Sequence, residues 1–547
     1  MKKPGFLGRM WQAVAGDSPI HVPSTLPGNF MGGMGGAFAY DAANLFGEES
    51  AEWNPLLRSP DNAININRDR MAARANDLYR NDGWARGGIT RIRDNVVGAQ
   101  FRLVATPDHR ALSRRYGPAF DGEWAHDYRR AVEAEWRTFS EDPLFLCDAV
   151  QKMTVMQIFG LAFLHRMKDG DSVLVMGWDP DRRDMGSNSA TTVRLVHPDR
   201  LSNPYQQMDT HNLRGGVELN DDGAAIAYHI RRAHQYDYFD AVESMIWDRL
   251  PRFTSWGRPV CIHSYDSDDA DQHRGISAFT PVMNRFRMLS RYDQAELQQA
   301  LIQTIHGMFF ESPYDPEDAA LIMGGSDEVS PYQAERARFH RENPISIGGV
   351  RVASLAPGEK IGTVSATRPY SGFQDFQHAF LRNFSAAMGV SAEQMSMDYS
   401  QTNYSSSRSS MLETWKTMLR RRRDFAIDTA TPVYVAHLEE QFDRKRVPLP
   451  RNAPDFLEAR AAYARCNWIG PGRGWVDPVA ERQGAVLGLD AGFGTLEREC
   501  AEQGLDYEEV LDQRQIERRM MTERELPFPE WAVGVPANDA TKKPDAQ

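Results

Sequence analysis

Apolar positions recur at helical spacing through the first third of the chain. Met71, Ala75, Leu78 and Tyr79 share one face, with Gly83 placed to cap the C-terminus. Ile89, Ile92 and Val96 repeat at i, i+3 and i+7 ahead of Gly98. A third amphipathic stretch runs from Trp124 to Phe139, with Val132 and Trp136 four apart. The mostly apolar segment from Leu144 to Leu164 predicts a buried helix.

The pattern then changes to short β-rich runs. Val173 to Met176 and Thr192 to Val196 predict strands, the second ending at His197-Pro198. Val217 to Leu219 and Ala225 to Ile230 flank Asn220-Asp221-Asp222-Gly223, a hairpin turn whose residues tolerate positive φ. Val260 to Tyr265 predicts a further strand.

Helix returns at Thr280, which is placed to cap it, with Pro281 in the first turn. Val282, Phe286 and Leu289 form one stripe, and Leu297, Leu301 and Ile305 continue an apolar face. A strand is expected from Val352 to Ile361 with a turn at Pro357-Gly358, and then a polar loop and a helix from Phe373 to Met388. The C-terminal part is helical. Met411, Trp415 and Met418 share a face, Asp477 caps a helix opened by Pro478, and Thr495 opens a short one ending near Gly504. Asp506 and Glu509 form an acidic version of a capping box.

Composition narrows the class. The 547 residues allow two to four domains at roughly 100–200 residues each. No run of about 18 apolar residues occurs, so no membrane helix is expected, and Met1 to Met10 lacks the apolar core of a secretory signal. Cys147, Cys261, Cys466 and Cys500 are far apart and form no C-x-x-C pair, which predicts packed, reduced thiols. The net charge of −12 argues against a chain that grips nucleic acid tightly. An acidic protein can still surround DNA while keeping contacts weak.

Candidate chemistry is sparse. Asp266, Asp268, Asp269, Asp271 and His273 offer metal-ligand types in one short loop, the basis of a metal-dependent nuclease reading. The competing reading is a solvated acidic loop. Arg420 to Arg423 are four consecutive arginines on a helix, which point in different directions and so make no single patch. Neither a Walker phosphate loop, an H-E-x-x-H pair, a G-x-S-x-G elbow nor an S-x-x-K motif is present. No catalytic residue, cofactor or metal site is expected.

Several segments in order resemble the lambda-like portal family of tailed bacteriophages. The most specific is the run Asp398-Tyr399-Ser400-Gln401-Thr402-Asn403-Tyr404-Ser405-Ser406-Ser407-Arg408, followed by Pro432-Val433-Tyr434. Pro357-Gly358-Glu359, Arg368-Pro369, Phe373 to Phe376 and Gly389-Val390-Ser391 precede it. Asn81 to Gly98, His197 to Arg200, Gly216-Val217-Glu218, Arg274 to Ser277 and Asp477-Pro478 match elsewhere, so the resemblance covers about Asn76 to Arg519.

The resemblance implies a mixed α+β portal fold and a ring-forming structural subunit, usually twelve copies, that is not an enzyme. It divides the chain into a Gly/Pro-rich arm (1–60), a wing (61–279), stem and clip (280–348), a wing strand (349–361) and a tunnel loop (362–372). A kinked helix with following helices (373–470), a helical crown (471–530) and a polar tail (531–547) complete it. Thr363, Ser365, Thr367, Arg368 and Ser371 would face the DNA channel, with Gly362 and Gly372 as hinges and Arg368 as the phosphate contact. Implied partners are further copies of the chain, double-stranded DNA held weakly, the large terminase subunit, major capsid or scaffold protein and a head-tail adaptor. A membrane is not among them. A capsid shell subunit that is not a portal is the remaining alternative.

Overall fold

The computed structural model describes residues 52–53, 55–304, 308–311, 338, 344–347, 350–353, 360–363, 373–400, 402–474 and 477–528. The elements below all belong to the compact unit formed by residues 59–547. No described helix is long and apolar enough to cross a membrane.

Helix α1 (Pro60–Asn81) and α2 (Gly83–Val96) are separated by one residue. Asp82 performs the change of direction, since it is extended and its carboxylate accepts from Ala85 N at 2.8 Å. Gly83 therefore opens α2 and does not cap α1. Ile89, Ile92 and Val96 are fully buried as their spacing predicts, and Gly98 takes a φ of +60° after the last turn. Strand β1 (Arg102–Ala105) leads to α3 (His109–Tyr116) and α4 (Gly122–Ser140).

Helix α5 (Val155–Lys168) starts eleven positions later than its apolar run. Residues 144–153 form turns instead, because Asp148 accepts backbone N–H groups from Val150, Lys152 and Met153. This side chain competes with the helix for its backbone donors. Thr154 and Gln157 then close a reciprocal capping box.

The strands read from the sequence are present as β2 (Asp171–Trp178), β3 (Thr191–Val196), β5 (Val217–Leu219), β6 (Ala225–Arg231) and β8 (Cys261–Tyr265), and two that the pattern does not announce join them, β4 (Leu213–Arg214) and β7 (Trp247–Pro251). They make an antiparallel sheet β3-β2-β8 and another, β4-β5-β6-β7. The turn between β5 and β6 is the expected one, with Asn220 Oδ1 accepting from Ala224 N at 2.7 Å and Gly223 at φ +78°. Strand β2 serves two cores through its period of two. Leu174 and Met176 join the helices, while Val173 joins Val196, Val217, Tyr228 and Ile230 between the sheets.

Helix α6 (Met283–Thr304) begins after Thr280 and Pro281, which lie in turns. Thr280 Oγ1 is buried with no hydrogen-bond partner, so it is not a cap. Val282, Phe286 and Leu289 are buried, but Leu297 is 62% exposed. Beyond it come β9 (Met308–Glu311), β10 (Pro344–Ile347), β11 (Val350–Ala353) and β12 (Lys360–Thr363). The strand expected over 352–361 is two strands of different pairs: β11 pairs with β10, and β12 with β9. Most of the stretch beyond residue 304 expected to belong to the stem and clip lies outside the described residues.

Helix α7 spans Phe373–Met388, the predicted bounds, followed by α8 (Ala392–Ser396) and α9 (Tyr404–Phe425). A π-helical turn, Ala426–Ala430, joins α9 to α10 (Thr431–Asp443). Then come α11 (Phe456–Tyr463), β13 (Cys466–Ile469), which pairs with β1, and α12 (Pro478–Asp490), α13 (Leu496–Glu502) and α14 (Tyr507–Glu523). Asp477, Thr495 and Asp506 all cap as read. Glu509, the other half of the expected capping box, bonds Arg102 and Arg137.

Candidate functional site

The loop that sequence singles out is held between two roots. On its N-terminal side Gly362 and Thr363 are the last residues of β12, opposite Phe309 and Met308. Gly362 is therefore within a ladder. Ser365, Thr367, Arg368, Ser371 and Gly372 lie outside the described residues.

On its C-terminal side the chain re-enters at Phe373. Phe376, Phe380 and Phe384 recur every four residues of α7, so they line one face. That face meets α6. Tyr292 lies 5.7 Å from Phe373 and 4.6 Å from Phe376 between ring centroids, and Phe286 stacks on Phe384 at 3.8 Å. Offset and edge-on aromatic pairs add about 0.5–1.5 kcal/mol each beyond burial. The start of α7 is thus anchored to α6.

The run of four arginines splits between surface and interior: Arg420 and Arg423 are exposed, Arg421 is half-buried and Arg422 is buried. Arg422 is buried and donates to three carbonyls: Val96 at 3.0 Å, Asn95 at 2.7 Å and Pro471 at 2.8 Å. It closes the C-terminus of α2, where unpaired carbonyls and the helix dipole favour a cation. Burial lowers its guanidinium to about 10. Arg421 donates to Met388 O at 2.8 Å, the last carbonyl of α7. Arg420 pairs with Asp424 at 3.1 Å on the surface.

The most specific motif is a helix start. Asp398 accepts from Ser400 N at 2.9 Å, and Thr402 N donates to Tyr399 O at 3.2 Å. Asn403 then caps α9 by accepting from Ser406 N at 2.8 Å, and Ser406 Oγ accepts from Asn403 N. Ser405 is exposed at the first turn. The hydroxyls here build a turn and a cap, and Arg408 lies on the second turn of the same helix.

The acidic loop at 266–273 does not converge. Asp266 pairs with Arg166 at 2.7 Å, and Arg166 also reaches Asp428 at 3.2 Å. His273 Nδ1 lies 2.8 Å from Asp61 Oδ2, and Gln272 Oε1 accepts the backbone N–H groups of Asp268 and Asp269. A metal-dependent nuclease needs carboxylates aimed at one point; Asp266 and His273 face separate partners, and among the described residues no three ligands of this loop come together.

Sequence reasoning passed over the strongest charge clusters. Asp171 is fully buried and binds Arg68, Arg274, His263 and the N–H of Gly275. Burial raises its carboxyl, but Arg274 and Arg68 outweigh this and hold it well below the usual range. Glu440 is buried among Ala190 N, Thr191 N, Ser189 Oγ, Thr191 Oγ1 and Arg183; burial raises it, and these donors bring it down to about 2. Nothing local in the sequence marks either residue. Cys147, Cys261 and Cys500 are buried free thiols, as read, and burial pushes Cys147 up to about 12.

These buried ions join helices to sheets, and the conspicuous polar runs act as caps and turns. Such an arrangement defines a mixed α/β body tied together by buried ion pairs.

Residues 46–422 match the model of the phage portal proteins of the lambda family. The portal protein of Escherichia phage N15 is 34% identical over 495 residues, 89% of this chain and 91% of that one. Portal protein B of Escherichia phage lambda is 33% identical over 89% of this chain and 90% of its own. The chain belongs to the lambda family of phage portal proteins, a structural family, and is a portal protein in function. The neck of the native gene transfer agent particle, computed with C12 symmetry, overlaps with a TM-score of 0.35 at 15% identity, covering 74% of this chain and 96% of that one.

Proposed function

We propose that the chain assembles as a ring of twelve at one vertex of the capsid, through which double-stranded DNA enters and leaves. The observation that carries this is the ordered match to portal proteins across 89% of the chain. In this reading residues 61–279 are the wing, 280–348 the stem and clip, and 471–530 the crown. The large terminase subunit docks on the clip during packaging, a head-tail adaptor replaces it afterwards, and capsid or scaffold protein contacts the ring's outer surface.

The loop after Thr363 projects into the channel, flanked by the β9–β12 ladder and the aromatic contact of α6 with α7. Its small hydroxyl residues favour brief, water-mediated contact with phosphate, and Arg368 makes the one charged contact. Firm cationic contacts would retard movement, because each releases counterions and adds affinity. The net charge of −12 suits a conduit that repels its cargo.

The test is packaging in a phage lacking its portal gene, complemented by this chain or its variants. Arg368→Ala and a deletion of 365–371 leave assembled heads intact while reducing the DNA packaged or retained. Full packaging and retention by the deletion variant would refute the channel role of the loop.

A further inference from the structure

Three side chains to which nothing above gives a role bring ligand atoms together: those of His165, Asp169 and His197 all lie within 4.8 Å of one another. His165 is in the last turn of α5, and Asp169 follows four residues later as its C-cap, so both lie on one face. His197 comes directly after β3 and caps a short 3₁₀ turn, Pro198–Arg200. Helix end and strand end thus meet at one carboxylate.

The two oxygens of Asp169 differ. Oδ1 receives Lys168 Nζ at 2.7 Å and Asn76 Nδ2 at 2.9 Å. Oδ2 faces the histidines, 2.6 Å from His165 Nδ1 and 3.9 Å from His197 Nε2. The Asp169 side chain is wholly buried, while His197 is a quarter exposed, which leaves a path from solvent. His234, exposed, stands edge-on to His197 at 5.1 Å between centroids.

We propose that His165, Asp169 and His197 bind one zinc ion that ties the end of α5 to the end of β3. Two imidazoles and a carboxylate suit zinc and its transition-metal neighbours, and do not suit magnesium or calcium, which prefer all-oxygen sites. Zinc takes nitrogen and oxygen ligands at about 2.0–2.2 Å in a tetrahedron, so the ligand atoms sit roughly 3.3 Å apart. His165 moves slightly away from Asp169 and His197 slightly toward it. The His165 proton shifts from Nδ1 to Nε2. His197 binds through Nε2, which puts its proton on Nδ1; Nδ1 then gives up the Asp199 N–H it accepts at 3.3 Å and donates to the Asp199 carboxylate, 3.5 Å away. Water or His234 fills the fourth position. Lys168 and Asn76 hold Asp169 from behind.

The experiment uses the full chain, purified without a histidine tag, stripped with a chelator and titrated with zinc chloride. One zinc per subunit is expected, with a rise in Tm and no response to magnesium. His197→Asn and His165→Asn each weaken zinc binding about tenfold or more. Cobalt on the wild-type chain gives the visible spectrum of a tetrahedral nitrogen–oxygen site without thiolate bands, a readout that needs no variant. No stoichiometric zinc on the stripped wild type, a thiolate spectrum with cobalt, or unchanged affinity in folded histidine variants would overturn the assignment.

Discussion

Arg274 Nη2 lies 2.8 Å from Asp171 Oδ2, with side chains only 1% and 0% exposed. Arg68 reaches the same oxygen at 2.9 Å, while His263 Nε2 and Gly275 N meet the other at 3.1 and 2.6 Å. One carboxylate thereby connects α1, the start of β2, β8 and the segment leading to α6. Asp171→Asn leaves buried Arg274 without its counter-charge and Arg68 with only the more distant Asp69 and Asp199, at 3.6 and 3.8 Å. Loss of one partner of a buried ion pair costs about 3–5 kcal/mol, and chemical denaturation of the chain is expected to show a loss of that size.

Arg422 gives a second contrast. Arg422→Ala leaves carbonyls of Asn95, Val96 and Pro471 without their donor, at a cost of about 2 kcal/mol or more. Arg422→Lys rescues it only in part, because a single ammonium lacks the planar fork that reaches all three. Arg420→Ala, two residues away in the same run, removes one surface pair and changes stability by less than about 1 kcal/mol. Thermal unfolding of the three variants side by side is the measurement.

Much of the fold was legible because its signals are local. The spacing of Ile89, Ile92 and Val96, the Asn220–Gly223 turn and the caps at Asp477, Thr495 and Asp506 each act within a few residues. The errors came where a local signal met a competitor, as when Asp148 took the backbone donors of the apolar run at 144–153. The roles of Asp171, Glu440 and Arg422 were hidden because their partners are scattered along the chain, Arg422 being 326 residues from Val96. The loop residues from Ser365 to Gly372 were read only through resemblance, and their place in the channel remains the proposal made above.

Acid should loosen the contact between α10 and β3. The folded carboxyl of Glu440 sits at about 2, below the ordinary glutamate range near 4.5. A depressed carboxylate contributes stability in full above its unfolded pKa, and that contribution is lost as pH falls toward the folded value. The chain is therefore expected to lose Tm between about pH 4.5 and 2. Glu440→Gln is less stable at pH 7 and has a shallower acid limb. Asp169, also held at about 2, still titrates in that variant and leaves a residual slope.

The stack of Phe286 on Phe384 sets the position of α7 and with it the end of the loop. Phe384→Ala is expected to cost about 3–5 kcal/mol. A double-mutant cycle with Phe286→Ala returns a coupling of about 0.5–1.5 kcal/mol. Additive effects of the two substitutions would show that the rings contribute only through burial.

Electron microscopy of the purified, assembled chain tests the central claim most directly. The account predicts rings with an axial hole, in which residues 364–372 of every subunit face that hole. Closed shells without an opening, or rings that carry this loop on their outer surface, would contradict it.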